Sequence, residues 1–435
     1  MKETWSQRFS FRAYQAAMHV GLPTGILLGL PWMLFKAKRR KTVFRRLGFQ
    51  GLEIPRGGRR PLWVHALSLG ETLSCVSLVK ELRRVVEGRP LVMSVSTLSA
   101  REMAEERLGG VVDGIFYFPF DLVPSIGRVL GAVDPAMVVL VETDIWPGFQ
   151  RAIRLRGITE VLVNGRLSPG SYRSCRRFGA LFTPALNSFD RIFPQSRGEA
   201  ERYGSVGVEV GRLGSVGNLK FDVAGGVMDA DALEQLRGEC GLVESSRVVI
   251  AGSTHPGEEE QVLAALGRLR ERWKDLRLVL VPRHPRRGAE LQAMAEGRSL
   301  RVARWSRGPV GSGWDVLVVD VMGKLASLYQ VADVAFVGGS LANKGGQNPI
   351  EPAAAGKPVL FGPDMSDFPD ISRELLERGA ACEVSGAGQL AGKLEEILSD
   401  AELAERMGAS GRAFVESHRG TTQRVVEWIG ARLSA

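Results

Sequence analysis

From residue 60 onward the chain alternates short apolar runs with amphipathic stretches. "LWVHAL" (62–67), "LVMSVST" (91–97), "GIFYFPF" (114–120), "MVVLVET" (137–143) and "EVLVNGR" (160–166) are apolar throughout, as strands covered on both faces are. "RIFPQS" (191–196) and "VEVGRLGSV" (208–216) continue the series. Between the first two, "ETLSCVSLVKELRRVV" repeats Leu73, Val76, Val79 and Leu82 at helical spacing. This alternation predicts parallel β-α-β units in one open α/β domain. A more polar stretch, "KFDVAGGVMDADALEQL" (220–236), interrupts it. The pattern then restarts with "RVVIAGST" (247–254), "LRLVLVPRHP" (276–285), "VLVVDVM" (316–322), "DVAFVGGS" (333–340) and "PVLFG" (358–362). The intervening helices include "EEEQVLAALGRLRERW" and "PIEPAAAG". A second domain of the same type is predicted, followed by a tail at 401–433 with helical periodicity.

The predicted organisation is an N-terminal segment 1–47, an α/β domain 48–222, a second α/β domain 223–400, and a helical segment 401–435 that packs back on the first domain. A length of 435 residues fits two cores better than one. Two open parallel sheets in tandem are expected to face one cleft, with ligands at the strand-to-helix turns.

Charge changes the picture at the N-terminus. The net charge is +9, yet residues 1–60 hold 13 of the 57 Lys/Arg and 2 of the 48 acids. That segment carries +11, and the remaining 375 residues carry −2. A nucleic-acid binder would spread basic charge over its folded body, so nucleic acid is not an expected partner. Within the basic segment, "AAMHVGLPTGILLGLPWMLF" (16–35) runs 20 residues without a formal charge. That is the length of a membrane span, although His19, Pro23, Thr24, Pro31 and three glycines interrupt it. A membrane anchor is expected here, spanning, re-entrant or lying in the interface; the plain alternative is a buried hairpin. Seven Lys/Arg between Lys36 and Arg46 favour anionic headgroups by roughly 1 kcal/mol each and keep the remainder of the chain on the cytoplasmic side. The four cysteines, Cys75, Cys175, Cys240 and Cys382, have no metal or redox spacing and read as reduced.

The turns that follow the strands hold the candidate chemistry. In "LWVHALSLGET" the first strand leads to Gly70, which lets a ligand approach the backbone, and to Glu71 in the first turn of a helix. Acids favour that position through the helix dipole alone, so Glu71 has a structural reading beside a chemical one. "GSTHPGEEE" (252–260) ends a strand with Gly252, Ser253 and Thr254, whose donors suit a phosphate or ribose, before His255. "VPRHP" (281–285) fixes Arg283 and His284 between two prolines, where an arginine can grip a phosphate. "VDVMGKL" (319–325) offers the Met322 and Gly323 backbone to a base or sugar. In "FVGGSLANKGGQNPIEP" (336–352), Gly338, Gly339 and Ser340 end a strand, Asn348 reads as a helix N-cap, Pro349 as the first helical residue, and Glu351 as a partner for ribose hydroxyls. The amino end of that helix, near Pro349, is expected to point free N–H groups at a phosphate and to stabilise it together with Arg283; the plain alternative there is a well-capped structural helix. Glu142, Thr143 and Asp144 end another strand. No P-loop, H-E-x-x-H, paired-Cys or D-x-D pattern occurs, so no metal and no cofactor is expected.

Eight of these segments in this order resemble the 3-deoxy-D-manno-octulosonic acid (Kdo) transferases of lipopolysaccharide synthesis: "SLGET" (68–72), "ETDIWP" (142–147), "NGRLS" (164–168), "GNLKFD" (217–222), "GSTHPGEE" (252–259), "PRHP" (282–285), "MGKL" (322–325) and "GGSLANKGGQNPIEP" (338–352). The resemblance covers nearly the whole chain. It implies a glycosyltransferase B fold of two Rossmann-like domains at the inner face of the cytoplasmic membrane. It also implies transfer of Kdo from CMP-Kdo, a co-substrate, to a lipid A precursor with inversion at the anomeric carbon. Glu71 then matches the general base, with Gly70, Glu142 and Lys220 on the acceptor side. Arg283, Met322, Gly323, Asn348 and Glu351 match CMP contacts, and Ser253, Thr254, His255, Gly339 and Ser340 lie on the same donor motifs. The partners implied are CMP-Kdo, the lipid A precursor and an anionic phospholipid surface. Two positions depart from the family pattern: Asp144 stands where a glutamate is usual, and Gly165 where alanine is. Both bear on the acceptor sugars only. Two readings of other classes are a nucleotide-sugar epimerase of the same fold, with no need for residues 1–47, and a non-catalytic nucleotide-sugar binder, which would tolerate loss of Glu71.

Overall fold

The computed structural model describes residues 4–434 except 35–36, 53, 55–57, 87 and 143–144, and gives the backbone alone for 22–23, 25–34 and 37–41. The chain divides into two compact units, Met1–Val223 with Arg419–Ala435, and Ala224–His418.

Unit 1 is built on a six-stranded sheet of β1 (Leu62–Ala66), β2 (Leu91–Val95), β3 (Gly114–Tyr117), β4 (Met137–Val141), β5 (Thr159–Gly165) and β6 (Arg191–Pro194). Every pairing is parallel, and the order is β3-β2-β1-β4-β5-β6. This is the doubly wound order, in which the connection reverses direction between β1 and β4. The strands are apolar on both faces because helices cover both. On one side Leu62, Val64, Met93 and Val139 pack with Leu78, Val79 and Leu82; on the other Trp63, Val138 and Leu140 pack with Phe149 and Phe189.

Unit 2 repeats the plan with β7 (Arg247–Thr254), β8 (Leu276–Pro282), β9 (Val302–Arg304), β10 (Val316–Val318), β11 (Val334–Val337), β12 (Val359–Phe361) and β13 (Ala381–Glu383). The order is β13-β12-β11-β7-β8-β10-β9, again parallel. It is the unit 1 order with β9 added at one edge, and its reversal lies between β7 and β11.

Several expectations change. The strand expected at 208–216 is a single 3-10 turn, Val210–Arg212, and only Leu213 bridges to β6. Gly211 and Gly214 weaken an extended ladder there. The helix expected from Glu71 to Val86 breaks at Cys75 into Leu69–Ser74 and Val76–Val85. The three-residue edge strands β9 and β13 are too short to register as a periodic signal.

The tail is two helices rather than one segment. Helix Ala401–Ser417 stays with unit 2, where Met407 enters the core and Gly408 lets the backbones meet; a Cβ there would lie 2.0 Å from the Gly356 carbonyl oxygen. Helix Thr421–Ser434 returns to unit 1, where Val425, Val426 and Ile429 join the core of Leu78 and Leu82. Asp222 secures the return by accepting from Gly420 N at 2.7 Å and Thr422 N at 2.6 Å.

The expected membrane span is not supported: among the described residues, no helix is long and apolar enough to cross a membrane. Residues 5–34 form one helix running through Pro23 and Pro31, and its first half, which carries Arg8, Arg12 and His19, is docked on unit 1. Tyr14 Oη donates to Asp121 Oδ2 at 2.6 Å, and Asp121 in turn accepts from Gly148 N and Phe149 N at the start of helix Pro147–Leu155. Phe35 and Lys36 lie outside the described residues.

Candidate active site

In unit 1 the motif residues gather where β1 and β4 end side by side. β1 runs into Ser68, whose hydroxyl accepts from Glu71 N at 3.3 Å and caps helix Leu69–Ser74. Glu71 reciprocates: its Oε2 accepts from Leu67 N at 2.5 Å and Ser68 N at 3.3 Å. The sequence S-L-G-E thus folds as a capping box, because Glu at the third helical position can reach the cap amide. Glu71 is buried, at 6% exposure, so the box fixes the direction of its carboxylate. Burial, and further the charges of Glu71 and Glu142, push the Cys75 thiol far above its usual range.

Glu142 sits at the end of β4 in the left-handed region, φ 67°. Its carboxylate accepts from Asn164 Nδ2 at 3.2 Å and faces Lys220 Nζ at 3.7 Å. Asn164 is fully buried, also left-handed at φ 58°, and its Oδ1 accepts from Leu219 N at 3.1 Å. One side chain therefore positions both Glu142 and the helix Leu219–Val223 that carries Lys220. Asn164 was not singled out in the sequence; its signal is a polar residue closing an otherwise apolar strand.

Gly70 is exposed, and a Cβ added to it would meet nothing nearer than Ser68 Oγ at 4.0 Å. The packing of this chain does not require glycine there. Gly165 is different: a Cβ would lie 3.0 Å from Tyr203 Oη, so the glycine accommodates that buried phenol. Thr143 and Asp144 lie outside the described residues.

In unit 2 the motif residues gather at the ends of β7, β8, β10 and β11. Ser253 is left-handed at φ 55°, where the register to β8 shifts, and Thr254 is buried. Glu258, fully buried, accepts from His255 N at 2.8 Å, Gly339 N at 2.7 Å and Leu341 N at 2.8 Å. It ties the end of β7 to the end of β11, a role the sequence reading missed; the only local sign was an acid opening a helix. Gly338 lets those two ends touch, since a Cβ would stand 2.6 Å from Thr254 Cα.

Arg283 N donates to Thr254 O at 2.9 Å, while its side chain is exposed and makes no ion pair among the described residues. The His255 imidazole is held below its usual pKa, chiefly by burial and further by His284, Arg283 and Lys344, with Glu258 opposing. Its ring lies 6.1 Å from that of His284. Arg283 and Lys344, from two separate chain segments, thus place their cations near one imidazole. Lys344 belongs to this group and was also missed; it lies in the "NKGGQ" loop. Beyond β10, Met322 is 59% exposed beside Gly323, at φ 82°.

Asn348 stands one residue ahead of the N-cap, which is Pro349 rather than Asn348 as expected; its Oδ1 accepts from Ile350 N at 3.1 Å, and Nδ2 donates to Glu351 Oε1 at 3.1 Å. Burial pushes the Glu351 carboxyl upward against that bond. The helix Ile350–Ala354 has five residues, with Pro349 as its N-cap rather than its first residue. Its dipole is correspondingly small, so side-chain cations outweigh it for anion binding. Gly339, at φ 76°, has its amide engaged by Glu258. Ser340 is buried, donating to Val337 O at 2.6 Å and accepting from Gly362 N at 2.7 Å; its hydroxyl serves packing rather than a ligand. Among the described residues no group of three His, Cys, Asp or Glu is placed to hold a metal ion.

The family pattern described as 3-deoxy-D-manno-octulosonic-acid transferase matches residues 41–223, and that of group 1 glycosyl transferases matches 316–414. The chain is 32% identical to the 3-deoxy-D-manno-octulosonic acid transferase of Bordetella pertussis, over 92% of this chain and 96% of that protein. It is also 32% identical to the protein of the same name from Haemophilus influenzae, over 90% and 91% respectively. Among solved structures, UDP-GlcNAc 2-epimerase from Neisseria meningitidis shares the fold, with a TM-score of 0.61 at 14% identity over 85% of this chain and 99% of that one. The sequence relationship extends along both units and covers the motif residues at the ends of their strands, and the chain therefore belongs to the 3-deoxy-D-manno-octulosonic acid transferase family of glycosyltransferases.

Proposed function

We propose that this protein transfers Kdo from CMP-Kdo to the hydroxyl of a phosphorylated lipid A precursor, as an inverting glycosyltransferase at the cytoplasmic face of the inner membrane. The observation that carries this reading is the segregation of charge between the two reversal points. Unit 1 presents two carboxylates, Glu71 in its capping box and Glu142 paired with Lys220, and unit 2 presents the exposed cations of Arg283 and Lys344 near His255. A carboxylate accepts the proton of the attacking hydroxyl; cations stabilise a departing phosphate.

In this mechanism Glu71 removes the acceptor proton, held on line by its capping box. The acceptor oxygen bonds to the Kdo anomeric carbon while the bond to the CMP oxygen breaks, and the leaving phosphate takes the electron pair. One displacement inverts the centre. Arg283 and Lys344 carry the charge that grows on the phosphate, Met322 and Gly323 contact the nucleoside, and Asn348 with Glu351 engages its ribose. Lys220, paired with Glu142, orients the acceptor. No metal is proposed for any step. The basic segment 36–46 supplies the affinity for an anionic surface where such an acceptor resides.

Incubating the full chain with CMP-Kdo and a tetra-acylated lipid A precursor tests the reading. CMP release coupled to a glycolipid heavier by whole Kdo units is expected. Turnover of a UDP-sugar without lipid, and no Kdo-lipid, would establish the epimerase alternative instead.

A further inference from the structure

The N-terminal helix Trp5–Leu34 does not lie flush on unit 1. One face is docked, through Tyr14 on Asp121 and through the Arg151 guanidinium 4.3 Å over the Phe11 ring. Next to that face, Ser10, Ala13 and Ala17 recur at helical spacing and turn toward helices Pro169–Arg177 and Gly179–Leu186. Their small side chains leave an open groove of about 580 Å³, walled by Phe9, Phe178, Leu181 and Phe182. That volume is within the range of ligand sites, roughly 300–1,000 Å³. Phe9 and Phe178 are 58% and 53% exposed, and Trp5, stacked on Phe9 at 5.4 Å, extends the apolar wall.

The charge at this groove has one sign. Arg177 lines it, with its guanidinium 5.6 Å from the Phe178 ring, and Arg173 and Arg176 lie on the same helix. None of the three has a carboxylate partner among the described residues. The helix that forms the opposite wall continues into the most lipophilic run of the chain, 16–35, and then into seven cations.

We propose that this groove binds one acyl chain of an anionic glycerophospholipid, with the lipid phosphate on Arg173, Arg176 and Arg177. An apolar slot with unpaired arginines beside it complements an amphiphile that bears a negative head. Bound there, the lipid fixes unit 1 on the bilayer by a specific contact in addition to the diffuse attraction of segment 36–46. The proposal rests on the membrane-surface part of the proposed function; its test needs neither CMP-Kdo nor acceptor, so failure of the transfer assay leaves it standing and its own failure leaves the transfer reaction standing.

The full chain is incubated with phosphatidylglycerol vesicles containing a phosphatidylglycerol whose acyl chain carries a diazirine, irradiated, digested and mapped by mass spectrometry. Labelling of residues 9–17 and 174–182 is expected. Ala13→Trp fills the slot and should remove most of that labelling while labelling within 20–35 persists. Arg173→Ser, Arg176→Ser and Arg177→Ser together keep the slot and should weaken phosphatidylglycerol binding roughly 10- to 100-fold. Label confined to 20–35, equal labelling from phosphatidylcholine, or labelling indifferent to both variants would overturn the proposal. A shift in sedimentation on Ala13→Trp with labelling unchanged would assign the groove to a second copy of the chain.

Discussion

Glu71 holds a structural position in its capping box and, in the proposed mechanism, a chemical one, and substitutions separate the two. Glu71→Gln keeps an oxygen that can accept from Leu67 N and Ser68 N, so thermal stability should change little, while turnover should fall about 10²- to 10⁴-fold with CMP-Kdo binding retained. Comparable turnover in this variant would remove Glu71 from the chemistry. Gly70→Ala probes the same turn from the other side. The site has room for the methyl, and an alanine favours a helix by about 0.5–1 kcal/mol, so the variant should fold at least as well. A raised acceptor KM in it would show that a ligand approaches that backbone. A third residue reports on pH. Burial raises the Glu160 carboxyl from 4.5 to about 8, against hydrogen bonds from Ser188 and Gln150. The unfolded chain releases this proton near 4.5, whereas the folded chain keeps it to about 8. Its contribution is therefore fully present below the unfolded value and is lost as pH rises through the folded one. Glu160→Gln should melt higher than the parent above about pH 8 and close to it at pH 4.5; a parallel pair of Tm-versus-pH curves would refute the assignment.

At the scale of elements, the turns after β7 and β11 depend on one inward-facing carboxylate. Glu258 accepts three backbone amides, one of them 81 residues later in the chain. Glu258→Ala leaves those amides unpaired in a buried place, with an expected loss of about 2–4 kcal/mol and a weakened grip on CMP. Isothermal titration with CMP and a urea melt check both parts. The strands and most helices were legible because their periodicities are local. The break at Cys75, the shortness of the helix Ile350–Ala354 and the inward turn of Ser340 were not. Each depends on what packs against it, and a periodic pattern carries no record of that.

For the molecule as a whole, location of charge matters more than its total. Segment 1–60 holds +11 and the other 375 residues hold −2. Sedimentation with phosphatidylglycerol vesicles should fall as salt rises from about 0.05 to 0.5 M, because screening shortens the reach of those charges from over 10 Å to below 5 Å. Binding that ignores salt would argue against an electrostatic contribution. The return of Thr421–Ser434 to unit 1 brings the C-terminal helix into the same compact unit as the first half of the chain, fastened by Asp222. Asp222→Ala should cost about 1–2 kcal/mol, read as a lower Tm.

The sequence by itself determined two parallel α/β sheets and which residues stand at the ends of their strands, since hydrophobic period and turn chemistry act over a few residues. The family motifs, in order, also determined which turns to inspect. Only the tertiary structure decided which ends are neighbours: β1 beside β4, β7 beside β11. Strands far apart in the chain become adjacent through crossover connections, and nothing in their spacing encodes the pairing. That is why Glu71 was readable from eleven residues, while the Asn164 bridge to Glu142, the Glu258 tie to Gly339 and the groove beside the first helix required the fold.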